Sequence, residues 1–137
     1  MSWVELRDLA AKGWEIGSHT RTHPRLPELD DTALTEELTA SRREIAEGMG
    51  AECRSLAYPY GAEDRRVVLS TEVAGYTAAA ALPAPLGHDD EVLRWPRVGV
   101  YHEDEFSRFE RKISPTIRWL RAKPAWKLVL ARHQLKR

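Results

Sequence analysis

The hydrophobic positions are most regular in the stretch "DDTALTEELTASRREIAEGMG", which runs from residue 30 to residue 50. Four apolar residues recur there at the spacing of one helical face: Leu34, Leu38, Ile45 and Met49. Asp31 or Thr32 can cap the start, acidic residues fill the first turns, and two glycines end the pattern. We therefore predict a long amphipathic helix over this stretch.

The rest of the chain alternates between helical and extended patterns. "WVELRDLAAKG" and "AEDRRVVLSTEVAG" have helical spacing, whereas "WEIGSH", "RSLAYPYG" and "YTAAAAL" are short and apolar enough to be buried strands. "EVLRWPRVGV" is extended, and helix is expected from about Glu103, with interruptions at Pro115 and Pro124. This alternation predicts an α/β fold of parallel strands joined by crossover helices, with functional groups at the carboxyl ends of the strands.

The length of 137 residues suits one domain, and the composition excludes disordered, collagen-like and membrane-spanning proteins. Cys53 is the only cysteine, which excludes an internal disulfide and a multi-cysteine zinc site. We expect it to be a small buried residue before a strand. The first residues carry acids and lack an apolar core, so they do not form a signal peptide, and a cytoplasmic location is the default expectation.

The charges are distributed unevenly although the net charge is zero. From Arg108 to the end there are ten Lys and Arg residues and one acid, Glu110. Trp119, Trp126 and several leucines are interleaved with these cations. The pattern fits a packed terminal helix with a solvated face, a helix on an anionic membrane surface, or contact with an acidic partner. Nucleic acid is not an expected partner, because no recognisable module accompanies the charge.

Two histidines, His19 and His23, lie four residues apart in "GSHTRTHPRL". Pro24 favours a turn over a helix there, because a residue before proline avoids helical angles. The helical zinc-protease motif H-E-x-x-H is excluded, since Thr20 follows the first histidine. A catalytic zinc usually takes three protein ligands, so the spacing alone leaves open a metal site and a pair of polar loop residues.

Two motifs resemble those of the polysaccharide deacetylases, the NodB-homology domain of carbohydrate esterase family four. "HTRTH" matches the pattern H-[ST]-x-x-H of the family's second motif. "RSLAYPYG" matches the third motif, R-x-x-x-x-P-Y, with Arg54, Pro59 and Tyr60 in register. The two motifs occur in the family's order with a long helix between them, and the resemblance runs from Trp3 to about Ala80.

The resemblance implies an incomplete (β/α) barrel that hydrolyses an N-acetyl or O-acetyl group on a carbohydrate with the help of a divalent metal, most often zinc. It implies that His19 and His23 bind the metal. It divides the chain into a partial deacetylase domain over residues 1–102 and a basic helical extension over residues 103–137.

The resemblance also implies roles for four residues of the second stretch. Arg54 would orient the catalytic carboxylate, and Tyr60 would offer its backbone N–H to the oxyanion. Pro59 and Gly61 would shape the turn that faces the substrate.

Other motifs of the family are not recognisable. The first, T-F-D-D-G, would supply the catalytic base and the third metal ligand, but only eighteen residues precede His19. The fifth, L-x-H, would carry a general acid, and the three candidates, His88, His102 and His133, do not match it. Arg97 in "RWPRVGV" points either into the cleft or to the surface.

Three interpretations therefore stay open. The chain is a deacetylase that is inactive or weak as it stands, or a second chain supplies the missing strands. Alternatively, it is a non-catalytic remnant that binds a metal, a glycan or a membrane surface.

Overall fold

The computed structural model describes residues 1–82 and 92–116. Residues 83–91 and 117–137 lie outside the described residues, and with them His88, His133 and most of the basic tail. Within the described part, none of the helices is long and apolar enough to cross a membrane.

Helices and short parallel strands alternate along the described residues, as the sequence predicts. The regular elements are α1 (Trp3–Ala11), α2 (Asp31–Met49), β1 (Ser55–Ala57), α3 (Arg65–Val73), β2 (Ala78–Ala81), β3 (Trp95–Pro96) and α4 (Phe106–Ile113). Single 3-10 turns cover Leu26–Glu28, Pro59–Gly61 and Val92–Arg94. Helix α4 ends before Ser114-Pro115, where the sequence predicts a break.

The starts of α1, α2 and α3 are fixed by side-chain caps. Ser2 and Glu5 form a capping box at α1, in which each side chain bonds the other residue's backbone N–H. Helix α2 is capped by Asp30, whose carboxylate accepts the N–H of Ala33 at 2.8 Å. The predicted caps, Asp31 and Thr32, are wrong by one and two residues, because the backbone is extended only up to Asp30.

The three strands form one parallel sheet in the order β1-β2-β3. Ser18 extends the sheet next to β1 by a single bridge to Leu56, donating to the carbonyl of Ser55 and accepting from the N–H of Ala57, both at 2.8 Å. The predicted strand "WEIGSH" is therefore wrong in extent. Only Ser18 of this stretch is paired: residues 14–17 form no bridge with β1, and after Ser18 the backbone enters the left-handed region at Thr20 (φ 66°).

The core lies between one face of the sheet and the helices packed on it. Its buried residues are Leu26, Leu34, Leu38, Cys53, Leu56, Tyr58, Val67, Tyr76, Ala79 and Ala81. The opposite face of the sheet carries the half-buried Ala57, Ala78 and Ala80, and Trp95 with 61% of its surface exposed. The described strands thus form an open sheet with helices, which is the incomplete (β/α) barrel that the sequence predicts.

Three buried hydroxyls connect this core to the paired Ser18. The Ser18 hydroxyl donates to Ser41 of α2 at 2.9 Å, and Ser41 lies 3.1 Å from the Tyr76 hydroxyl. Tyr76 donates in turn to the carbonyl of Leu38 at 3.0 Å. Burial raises the pKa of Tyr76, so its hydroxyl stays protonated and the chain of bonds stays intact.

Candidate functional site

The segment after Ser18 is a tight loop that carries both histidines. The N–H of Thr20 donates to the Ser18 hydroxyl at 3.1 Å, and the N–H of His23 donates to the Thr20 hydroxyl at 3.1 Å. Thr20 (φ 66°) and His23 (φ 61°) both have left-handed backbones, which non-glycine residues adopt rarely and at a cost. The turn that Pro24 predicts is therefore confirmed.

Glu37 of α2 holds the middle of this loop. Its carboxylate accepts the N–H groups of Arg21 and Thr22 at 2.8 and 2.9 Å and the Thr22 hydroxyl at 2.5 Å. Burial acts to raise the pKa of Glu37, but the hydrogen bonds from Thr22 and Arg21 outweigh it and the pKa is lowered. Glu37 therefore stays ionised and restrains the loop at neutral pH.

The two imidazoles meet at their Nε2 atoms. His19 Nδ1 lies 2.5 Å from the carbonyl oxygen of Ala57 at the end of β1, and because a carbonyl only accepts, Nδ1 carries the proton. Nε2 of His19 then carries a lone pair and can accept, and Nε2 of His23 lies within hydrogen-bond distance of it, at 3.1 Å. The sheet thereby selects the tautomer and aims the lone pair of His19 at the loop.

The turn after β1 lies against the second histidine. Tyr60 has a left-handed backbone (φ 58°), and the N–H of Gly61 closes the turn on the carbonyl of Tyr58 at 3.0 Å. The Tyr60 ring packs edge-on against His23, with 4.7 Å between ring centroids. The guanidinium of Arg25 lies over the same ring, 4.8 Å from its centroid. Tyr60 is thus held from two sides by residues of the histidine loop.

Five of the predicted site residues therefore come together where β1 ends: His19, His23, Pro59, Tyr60 and Gly61. The structure does not bring Arg54 to them. Arg54 precedes β1, is exposed, and pairs with Glu52 at 3.1 Å. At about 3.3 Å of rise per strand residue, a four-residue span places it roughly 13 Å from Tyr58 along the strand.

Arg97 is the arginine that reaches this edge of the sheet. It follows β3, and its Nη2 donates to the carbonyl of Tyr58 at 3.0 Å. Its Nε lies 3.5 Å and its backbone N 2.9 Å from the carbonyl of Ala81 at the end of β2. The only signal in the sequence is its position just after a strand. His102, the general-acid candidate after this segment, is 93% exposed and lies 3.6 Å from Glu103.

The described residues do not contain a complete set of metal-binding side chains. Within residues 1–82 and 92–116, no group of three or more His, Cys, Asp or Glu side chains could hold a metal ion. Cys53 is buried in the core, as predicted, and burial raises the pKa of its thiol, so the thiol stays protonated at neutral pH.

Comparison with known proteins decides the family. The sequence profile described as polysaccharide deacetylase matches residues 1–79, more than half of the chain. The chain belongs to the polysaccharide deacetylase family. The match ends within one residue of the limit predicted from the two motifs. No curated protein sequence matches the chain.

Solved structures of polysaccharide deacetylases share the fold. BC0361, a polysaccharide deacetylase from Bacillus cereus, is 28% identical with a TM-score of 0.71, covering 83% of this chain and 37% of its own. BA0330 from Bacillus anthracis is 26% identical with a TM-score of 0.70, covering 83% and 37%. The Streptococcus pyogenes deacetylase PplD, solved with acetate, shares the fold at 15% identity and a TM-score of 0.74, covering 84% and 51%. This chain thus spans between about a third and a half of the length of these proteins.

Proposed function

We propose that this chain carries part of the active site of a metal-dependent hydrolase that removes N-acetyl or O-acetyl groups from a carbohydrate. One observation carries the proposal: Nε2 of His19 and Nε2 of His23 lie 3.1 Å apart at the carboxyl end of the sheet. Membership of the family supports the reaction class and an acetylated carbohydrate as the substrate.

The two histidines fit a divalent metal such as zinc. Two nitrogens at about 2.05 Å from a tetrahedral zinc ion would be roughly 3.3 Å apart, close to the observed separation. The Nδ1–H of His19 donates to the Ala57 carbonyl, which leaves Nε2 available to a metal. Histidines that bind metals commonly donate their other ring N–H to a carbonyl or carboxylate in this way. When bound, such a metal would lower the pKa of a water molecule to about 7 and provide hydroxide at neutral pH.

The turn after β1 would serve the acyl group. Under the proposal, the backbone N–H of Tyr60 donates to the oxyanion that develops on the acetyl carbonyl. Pro59 and Gly61 hold the left-handed turn that aims this N–H, and the Tyr60 ring, which is 54% exposed, forms part of the wall that the sugar meets. The proposal leaves Arg54 out of the site, because Arg54 lies at the opposite end of β1.

A second candidate function is a binding module without catalysis. It is favoured by one finding, the lack of a third ligand near the two histidines within the described residues. Such a module would hold a metal or an acetylated glycan without turnover. The membrane-surface alternative rests on the basic tail, most of which lies outside the described residues.

Zinc binding by the purified chain tests the ligand assignment. We expect His19→Ala and His23→Ala each to weaken zinc binding by at least about tenfold in calorimetric titration, because even outer-shell partners contribute that much. The control is His102→Ala, since His102 is an exposed histidine far along the chain. Equal zinc affinity of all three variants and the wild type would refute the assignment.

Acetate release from an acetylated oligosaccharide separates the two functions. Release that depends on added zinc and is lost in His19→Ala supports the hydrolase. Binding of the oligosaccharide with no release, measured with the same zinc-loaded chain, supports the binding module.

A further inference from the structure

Arg97 is the side chain that connects the carboxyl ends of all three strands. It follows β3 directly, and it bonds the carbonyls that follow β1 and end β2, those of Tyr58 and Ala81. The guanidinium is half-buried, and no carboxylate pairs with it within residues 1–82 and 92–116. Among the described residues, its charged N–H groups therefore donate to backbone carbonyls.

The carbonyl of Tyr58 that Arg97 bonds is the one that closes the turn. It accepts the N–H of Gly61 at 3.0 Å and Nη2 of Arg97 at 3.0 Å, so both of its lone pairs are used. Tyr60, which lies between them, has a left-handed backbone, and such a strained conformation persists in a non-glycine residue only where the surroundings impose it. Arg97 supplies the restraint from the sheet, and His23 supplies the restraint from the loop.

We propose that Arg97 is a positioning residue that fixes the Tyr60 turn and, through the Tyr60 ring, the second histidine. Its importance for activity rests on the proposed function, but its effect on the turn does not. Without the bonds from the Arg97 side chain to the carbonyls of Tyr58 and Ala81, the Tyr58 carbonyl would rotate. The hydrogen bond from the Gly61 N–H to it would weaken, and Tyr60 would leave the left-handed region.

The chain offers a closely matched control in Arg42. Arg42 is also half-buried, and its Nε donates to the carbonyl of Cys53 at 3.1 Å, just before β1 rather than just after it. Arg42→Met therefore removes the same kind of bond from the opposite end of the same strand. A general loss of stability would affect Arg97→Met and Arg42→Met alike. Loss of a positioning residue would change the Tyr60 turn in Arg97→Met only.

Amide hydrogen exchange in the metal-free full chain tests the proposal. In Arg97→Met we expect the Gly61 N–H to exchange about tenfold faster, while the Ala57 N–H, which bonds Ser18, keeps its rate. Arg42→Met should leave Gly61 unchanged, and Arg97→Lys, which retains a cationic donor, should give an intermediate rate. We also expect weaker zinc binding in Arg97→Met than in Arg42→Met.

Equal Gly61 exchange in Arg97→Met and Arg42→Met would overturn the proposal. So would a rate increase in Arg97→Met that is shared by Ala57, since this would report general unfolding. Because the exchange is measured without metal or substrate, its outcome is independent of whether the chain is a deacetylase.

Discussion

Glu37 shows how one side chain on a helix can set the shape of a distant loop. It lies fourteen positions after His23, yet its carboxylate takes three hydrogen bonds from two adjacent loop residues, Arg21 and Thr22. A carboxylate is well suited to this task, because it accepts several bonds at once and strengthens each by its charge. The loop in turn presents the two histidines.

We expect Glu37→Gln to destabilise the protein by about 1–2 kcal/mol at pH 7, because an amide oxygen replaces a charged acceptor. The folded pKa of Glu37 is lowered below 4.5, so its contribution is present above pH 4.5 and is lost as the pH falls through the folded value. Urea unfolding of the wild type and Glu37→Gln between pH 7 and pH 3 measures this contribution. The difference between their free energies of unfolding should narrow below pH 4.5.

The control is Glu47→Gln, an exposed position on the same helix. A difference between Glu37→Gln and the wild type that stays constant down to pH 3 would contradict the role of the charge.

At the same scale, the sequence predicts some site residues and not others. His19, His23 and Tyr60 could be predicted because they lie in motifs of recognisable spacing. Glu37 could not, because an acid on the polar side of an amphipathic helix has no distinguishing pattern. The role of Arg54 comes from the resemblance of "RSLAYPYG" to a family motif, and a motif along a strand does not say which of its residues lie at the end of the strand that carries the histidine loop.

Among the elements, the turn at Pro59–Gly61 depends on a glycine for two separate reasons. Gly61 has a left-handed backbone (φ 63°), and a Cβ there would lie 2.3 Å from the Leu82 side chain and 2.7 Å from its backbone nitrogen. Gly50, which ends α2, has a similar angle (φ 67°) but open space around it. Comparing substitutions at Gly50 and Gly61 therefore separates the cost of the backbone angle from the cost of the steric clash.

We expect Gly50→Ala to lower the free energy of unfolding by about 1 kcal/mol and Gly61→Ala to lower it by about 2–4 kcal/mol, because only the second adds a clash with Leu82, just after β2, to the backbone penalty. Thermal unfolding of both variants measures the difference. Equal destabilisation would show that Leu82 moves aside freely.

The elements also show where periodicity suffices. Helix α2 is confirmed because its apolar stripe and its terminal glycine agree, and both are local properties. The strand predicted around Ser18 was wrong in extent because pairing depends on a neighbour, and the apolar letters of "WEIGSH" carry no information about where the partner strand ends. The existence of β1 and β2 could be predicted from their apolar patterns, but the length of a strand could not.

At the scale of the whole described molecule, the core lies on one face of the sheet and takes residues from α2 and α3, so the stability of the fold depends on that single layer. Leu38 of α2 is fully buried there, whereas Leu69 of α3 is 51% exposed. We expect Leu38→Ala to destabilise the protein by about 2–5 kcal/mol and Leu69→Ala by less than about 1 kcal/mol. Chemical denaturation of the two variants measures this.

Zinc affinity of the folded fraction should be unchanged in both leucine variants, since the hydrogen bonds that hold the loop to α2 are made by Glu37 and not by either leucine side chain. A loss of zinc affinity in Leu38→Ala at temperatures where it is folded would show that the core and the site are coupled.

The left-handed backbones at Thr20 and His23 determine whether the histidine pair keeps its geometry outside this fold. A free peptide with the sequence of residues 17–26 keeps the local bonds of Ser18 and Thr20 but lacks the restraints from Glu37 on a helix and Ala57 on a strand, so we expect both backbones to relax. Ordering them again would consume about 1–3 kcal/mol per residue of the binding energy. A synthetic peptide with both histidines should therefore chelate zinc far more weakly than the folded chain, and grafting the motif onto another scaffold would require the helix and the strand as well.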